Sequence, residues 1–480
     1  MSDLWNHQRD AVQFAEDRIA SMLAMEVGCG KTLVALSLAD LWGAERILVA
    51  CPLSVVGVWE REVARHYPGR WRVARLDRGG VRRKAEDAAR VSAPCIIAVN
   101  HESVWREPFR SYVAGARWDL FIADEGHRMK SPGGKLSLWA ASMRTRFPRR
   151  LALSGTPMPH SPLDVYAQAR FLDPSIFGQS YVQFRARYAR LEVIRPGTCR
   201  RPGCGHHGKI HGEAGACLYC ACHAWLGTVA QRVVGFQRLD ELEAKLATLA
   251  FRVRKSDALS LPPELDVERT CRLDPATAKI YASLEADLVA EVEGGRVSAK
   301  NALSKLLRLQ QLTGGVAVTE DGARRVGSAK ADLLADVLED IVEPVVVFCR
   351  FIADLDAVAD VADRLGRPYG ELSGRRKDLT PEATMPEDVA IMAVQIQAGG
   401  VGVDLSRASV AVYYSVGWSL GDLLQCRGRV HRHGQTRPVT HVHLVAEATV
   451  DETALDALRK REDLVEAVLA RMTAAQRRTA

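Results

Sequence analysis

Short apolar runs rich in β-branched residues recur along this chain and alternate with stretches of helical, amphipathic spacing. The runs are Ile47–Ala50, Ile96–Val99, Leu120–Ala123 and Leu151–Ser154, then Val345–Phe348, Val389–Val394, Val410–Tyr414 and Val442–Val445. Each spans four to six residues and ends at a turn or polar residue. That is the pattern of a parallel strand covered on both faces. Strands alternating with helices predict a doubly wound α/β sheet. The runs fall into two groups, before about residue 160 and after about residue 340, so two α/β lobes are expected. Between the groups, Leu239, Leu242, Leu246 and Leu249 recur at helical spacing, as do Leu303, Leu306, Leu307 and Leu309. These predict helical insertions attached to both lobes. Leu261-Pro262-Pro263 breaks the pattern and is read as a lobe boundary. Residues 195–225 have no period and are rich in Gly, Cys and His, as in a small inserted module.

A chain of 480 residues is too long for one ordinary core. It is 47% hydrophobic and 26% charged, as in soluble globular proteins. No run approaches the roughly eighteen apolar residues that a membrane span needs. The N-terminal stretch is mixed and charged, unlike a secretory signal. A cytoplasmic protein without membrane association is expected. The net charge is +7, and arginine outnumbers lysine 52 to 13. Arginine grips phosphate through a planar fork, which suits a polyanionic partner. A GC-rich genome produces the same bias and the excess is mild, so charge alone does not decide.

Two motifs carry the chemistry. Gly28-Cys29-Gly30-Lys31-Thr32 is a glycine-rich turn ending in Lys-Thr, although Met25 stands where the strict pattern has its first glycine. Such a turn aims backbone N–H groups and a helix N-terminus at phosphate oxygens. Lys31 then reaches the β- and γ-phosphates and Thr32 holds Mg²⁺. About ninety residues on, Phe121-Ile122-Ala123 ends in Asp124-Glu125. An apolar strand ending in two carboxylates supplies Asp124 for Mg²⁺ and Glu125 to orient and deprotonate a water. Each motif has a bland counterpart, a strand–helix turn or a solvated strand end. Together they point to nucleoside triphosphate hydrolysis.

With these residues the chain resembles the SWI/SNF-type helicase-like ATPases of superfamily two, from about Leu4 to Ala470, with only the Cys/His module outside the resemblance. The resemblance implies two RecA-like parallel-sheet lobes. Residues 1–165 would form the ATP-binding first lobe, and 166–262 its helical protrusion, interrupted by the Cys/His module at 195–226, which the resemblance does not cover and whose spacing is read as a zinc site. Residues 263–335 would form a linker and helical insertion of the second lobe, and 336–480 the second lobe with a C-terminal brace helix over Asp451–Arg461. Trp5-Asn6-His7-Gln8 resembles the family's adenine-sensing element, so Gln8 is the implied base contact. Cys51 to Val56 with Trp59, and Asn100 to Ser103, resemble segments facing nucleic acid. Leu153-Ser154-Gly155-Thr156-Pro157 resembles the motif coupling nucleotide and DNA sites. Gly126 stands where the family has alanine in its Asp-Glu-Ala-His box. Ala398 to Leu405 resembles the fifth motif and Gln425 to Gln435 the sixth. By that resemblance Arg429 and Arg432 reach the γ-phosphate across the cleft, with Gln425 beside them. Arg254-Lys255 resembles the family's connector. Three arginines among Gly, His and Gln are hard to read as a merely solvated helix, and fingers of this kind are worth about 10³–10⁵ in rate.

Of eleven cysteines, five fall between Cys199 and Cys222. An odd count in a cytosolic context argues for metal over disulfides. Cys199, Cys204, Cys217 and Cys220 form two close pairs suited to tetrahedral Zn²⁺. A set such as Cys204, His211, Cys217 and Cys222 is an alternative. The module is read as a DNA-contacting knob, a protein-docking surface or a stiffener.

The expected function is an ATP-dependent translocase on double-stranded DNA that does not separate strands, using ATP, Mg²⁺ and Zn²⁺. A monomer in a bacterial or phage-infected cytoplasm is expected. A strand-unwinding helicase and a non-catalytic, ATP-switched adaptor are the alternatives. Low aromatic content (6%) disfavours the first, and the full set of Lys31, Asp124, Glu125, Arg429 and Arg432 disfavours the second.

Overall fold

The protein is described by a computed structural model covering residues 4–195, 198–199, 225–226, 230–293, 299–319, 322–380, 382–397 and 403–479. The first lobe is built on seven strands: β1 (Ala20–Met25), β2 (Arg46–Cys51), β3 (Arg72–Leu76), β4 (Cys95–Asn100), β5 (Leu120–Asp124), β6 (Arg149–Leu153) and β7 (Ala250–Val253). They lie in the order β7-β1-β6-β5-β2-β4-β3, all parallel. The second lobe has six: β8 (Glu264–Cys271), β9 (Val345–Cys349), β10 (Tyr369–Leu372), β11 (Ile391–Gln395), β12 (Val410–Tyr413) and β13 (Val439–Ala446). Their order is β8-β13-β12-β9-β11-β10, again all parallel.

The central strands read as unbroken apolar runs because helices cover both faces. Along β2, Ile47 and Val49 enter one core, Leu48 and Ala50 the other. The period of two recurs in β9, where Val345 and Val347 face one way and Val346 and Phe348 the other. One apolar cluster is continuous across the lobe interface, holding Phe121 and Ala152 of the first sheet together with Phe348 and Leu420 of the second lobe.

The chain departs from the expected boundaries at two strands. The segment read as protrusion returns to the first sheet as β7, after a hairpin (Ala189–Arg195 with Ala230–Phe236) and the helix Leu239–Ala247. The segment read as linker and insertion opens with β8, an edge strand of the second sheet. Arg252 interrupts the apolar pattern of the first, and the second is mostly exposed and charged, so neither looks like a buried strand. The connection between lobes is therefore residues 254–263, around the Leu261-Pro262-Pro263 break.

The insertion of the second lobe is helical, with Pro275–Glu293 and Ala299–Thr313. The C-terminal helix Val450–Thr479 packs on the helix Leu239–Ala247 and β7 of the first lobe and on β13 and the helix Leu420–Val430 of the second. Of the zinc candidates, Cys204, Cys217 and Cys220 lie outside the described residues, as do His211, Cys222 and the side chain of Cys199. Among the described residues no group of three His, Cys, Asp or Glu is placed to hold a metal, and no helix is long and apolar enough to cross a membrane.

Candidate active site

The phosphate loop runs from the end of β1 to the helix Lys31–Leu41. Gly28 and Gly30 have φ of 93° and 76°, in the left-handed region that glycine tolerates. Gly30 is also where the loop meets Gln8: a Cβ there would fall 2.1 Å from the Gln8 amide nitrogen. Gln8 is buried, accepts from the Trp5 backbone N–H at 2.9 Å and donates to the Cys29 carbonyl at 3.5 Å. Lys31 folds back onto its own loop, donating to the carbonyls of Met25 (2.8 Å) and Glu26 (3.2 Å). Cys29 is buried, and burial raises its thiol to about 11. Thr32 follows in the first turn of the helix, half-buried.

Asp124 and Glu125 are both buried at the end of β5. Asp124 accepts from the Trp59 indole N–H at 3.1 Å and from the Glu125 backbone N–H at 3.0 Å. Burial, then the neighbouring Glu125, pushes the Asp124 carboxyl above its ordinary value. Burial raises Glu125 as well, but the hydrogen bond and charge of His127, with Lys31 and Arg429, outweigh it and hold Glu125 below its ordinary value. Glu125 has φ 51°, a left-handed conformation uncommon for a residue with a Cβ. The next turn is tight: a Cβ on Gly126 would lie 3.1 Å from the Ala152 Cβ. The ring of His127 lies 3.2 Å from Glu125 Oε2 and 3.1 Å from Ser154 Oγ, and that hydroxyl accepts from the Thr156 N–H at 3.1 Å. A continuous polar path thus joins Glu125 to the Ser154-Gly155-Thr156 turn.

The second lobe closes over this site. Gly428, on the helix Leu420–Val430, sits so close to the phosphate loop that a Cβ there would fall 2.7 Å from the Val27 Cβ. A Cβ on Gly28 would lie 3.8 Å from the Cβ of Arg432. Arg429 is buried, and burial lowers its guanidinium to about 10; Arg432 adds to this while Glu125 opposes it. It stays a cation at neutral pH. Arg432 donates to the Val403 carbonyl at 3.2 Å and lies 3.6 Å from Asp404 Oδ2. Gln425 is half-buried one turn before Arg429, on the same helical face. Residues 398–402 of the fifth-motif segment lie outside the described residues.

The model of the SNF2-related domain matches residues 7–314, and the helicase conserved C-terminal domain matches residues 329–434. The first alone spans more than half of the chain. The protein belongs to the SNF2-related family. The SWI/SNF-type resemblance of the motifs and the two RecA-like lobes are thereby borne out. One relative is the DNA repair and recombination protein RDH54 of Saccharomyces cerevisiae, 23% identical over 496 residues, covering 90% of this chain and 50% of that protein. Another is the SWI/SNF-related matrix-associated actin-dependent regulator of chromatin subfamily A-like protein 1 of Xenopus tropicalis, 26% identical over 460 residues, covering 94% of this chain and 43% of that protein. The Sulfolobus solfataricus SWI2/SNF2 ATPase core in complex with dsDNA matches with a TM-score of 0.41 and 20% identity, over 97% of this chain and 93% of that chain. The chain spans about half the length of the curated relatives it matches. Both curated relatives named here are eukaryotic, and nothing in them supports the expected bacterial or phage origin.

Within this SNF2-related chain the structure brings Lys31, Asp124, Glu125 and Arg429 to one cleft, with Gln8 and Arg432 against the same loop. Trp59 is a correction. It was placed with the segment facing nucleic acid, yet it is fully buried and its N–H is spent on Asp124. Of Asn100 to Ser103, His101 and Ser103 are buried, and Glu102 is exposed. Gly428 is read in the sequence only as part of the sixth-motif segment, and Lys255 only with Arg254 as the connector. The approach of Gly428 to Val27 and the bonds of the Lys255 ammonium to His431 and Glu264, which join the two lobes, go beyond those readings. An aromatic contact was missed as well: Trp5 and His433 meet across the lobes with ring centroids 5.3 Å apart.

Proposed function

We propose that this chain is a DNA-stimulated ATPase that spends ATP hydrolysis on movement along double-stranded DNA without separating its strands. The observation that carries the reading is the meeting of Gly428 and Arg432 of the second lobe with the phosphate loop of the first. A site assembled from two bodies couples hydrolysis to their relative motion. The loop N–H groups and Lys31 would hold the β- and γ-phosphates. The donor set suits Mg²⁺, which takes oxygen ligands, and Thr32 and Asp124 supply them. Glu125 orients a water and takes its proton as the water oxygen bonds to the γ-phosphorus and the bridging bond to ADP breaks. His127, held by Ser154, fixes the Glu125 carboxylate. Arg429 and Arg432 meet the negative charge on the γ-phosphoryl oxygens.

Support for DNA comes from the relative named for DNA repair and recombination, and the preference for duplex rests on the family resemblance of the motifs. Tracking is tested with two substrates, a duplex carrying a bound third strand and a duplex with a free tail. ATP-dependent release of the third strand without separation of the duplex is expected. Separation of the tailed duplex would establish an unwinding helicase instead. We further propose Zn²⁺ at Cys199, Cys204, Cys217 and Cys220, on their spacing alone. Stoichiometric zinc in the purified chain, lost on changing Cys217 and Cys220 to serine, is expected; a metal-free chain would overturn it.

A further inference from the structure

Lys255 stands at the start of the connection between the lobes, directly after β7. Its backbone N–H donates to Glu26 Oε2 at 3.0 Å, and Glu26 opens the phosphate loop. Its ammonium donates to the His431 carbonyl at 3.1 Å and to Glu264 Oε1 at 3.0 Å. His431 lies between Arg429 and Arg432, at the end of the helix that carries the first of them. The other end of the path is Lys31, whose ammonium also holds the Glu26 carbonyl. One residue thus ties the phosphate lysine's loop to the turn that carries the arginines.

The tether is anchored on the second lobe by strand geometry. Glu264 and Asp266 share one face of β8, two residues apart. Glu264 pairs with the His431 ring and lies 3.8 Å from His441, while Asp266 pairs with Arg427 and lies 3.2 Å from His443. The His431 ring also meets the Pro262 carbonyl at 2.7 Å. Lys255 is mostly buried, beside a cavity of about 600 Å³ between the lobes that Glu26, Thr156, Leu424 and Gly428 also line. A charge-assisted pair sheltered in this way is stronger than an exposed one.

We infer that Lys255 is a positioning residue: its ammonium sets where the Arg429–Arg432 turn stands relative to the phosphate loop, so it governs the rate of hydrolysis and not the affinity for nucleotide. The inference rests on the proposed ATPase reading. Lys255→Met keeps the backbone bond to Glu26 and removes only the ammonium, so the loop that binds phosphate is left intact.

The test uses the full chain with Lys255→Met, Lys255→Arg and Glu264→Gln. Steady-state ATP hydrolysis on duplex DNA gives kcat and KM, titration of a fluorescent ATP analogue gives affinity, and hydrogen exchange reads the helix Leu420–Val430. For Lys255→Met a fall in kcat of about 10-fold or more is expected, with affinity within about twofold of wild type and faster exchange in that helix. Lys255→Arg restores most of kcat. Glu264→Gln shows the same pattern more weakly and decides the matter if Lys255→Met does not fold. A kcat within about twofold of wild type, an equal loss of affinity, or no rescue by arginine overturns the inference. If the wild-type chain hydrolyses no ATP, the ATPase reading fails by itself. The exchange measurement then decides the tether alone, and unchanged exchange in Lys255→Met overturns it.

Discussion

Gly428 is where one absent Cβ sets how closely the lobes approach. Alanine there would press a methyl group into Val27, so Gly428→Ala is expected to lower kcat by roughly 10- to 100-fold, as a displacement near 1 Å does to an aligned site. Affinity for a fluorescent ATP analogue should change far less. An unaltered kcat would mean that the contact with Val27 is not made during turnover. Glu125→Gln keeps the size of the side chain and removes the base. Hydrolysis on duplex DNA should fall on the order of 10²- to 10⁴-fold while nucleotide binding persists. Residual turnover near wild type would remove Glu125 from the chemistry and speak for an adaptor.

The motif residues were legible because phosphate and Mg²⁺ chemistry demands fixed residue types at fixed spacing. Trp59 was misread because an indole after a strand looks the same whether it faces solvent or donates inward to Asp124. Lys255 was legible only as part of the connector with Arg254, and not by what its side chain holds. Its partners Glu26 and His431 lie 229 and 176 positions away in the chain, and only the fold brings them together.

At the scale of elements, legibility followed burial. β2, β4, β5, β9 and β12 sit inside their sheets and read directly from continuous apolar runs. β3 and β8 lie at sheet edges and carry exposed charges that blunt edge pairing, so their patterns look like loops. β7 is short and holds Arg252 amid its apolar residues. These missing strands explain why the expected boundaries split each sheet from one of its own members. The C-terminal helix was expected as a brace, and its contacts with both lobes give it that place. Leu458 is fully buried in the apolar cluster that spans the lobe interface. Leu458→Ala should cost about 2–5 kcal/mol, seen as a lowered melting temperature in a thermal scan. An unchanged melting temperature would mean that the helix contributes no packing there.

For the whole molecule, the two-lobe architecture was legible because two groups of strand runs flank a helical middle. The closeness of the lobes was not, since it arises from small residues such as Gly428 opposite Val27. Most of the Cys/His module lies outside the described residues, so its part in the whole rests on spacing. A cleft assembled from both lobes makes hydrolysis answer to whatever moves one against the other. In a motor on nucleic acid that is the polynucleotide lying across both. The most direct measurement is the steady-state rate of ATP hydrolysis by the purified chain with no DNA, with single-stranded DNA and with duplex DNA. A motor driven through this cleft is expected to show a slow basal rate, raised most strongly by duplex. Equal rates in all three conditions would contradict it.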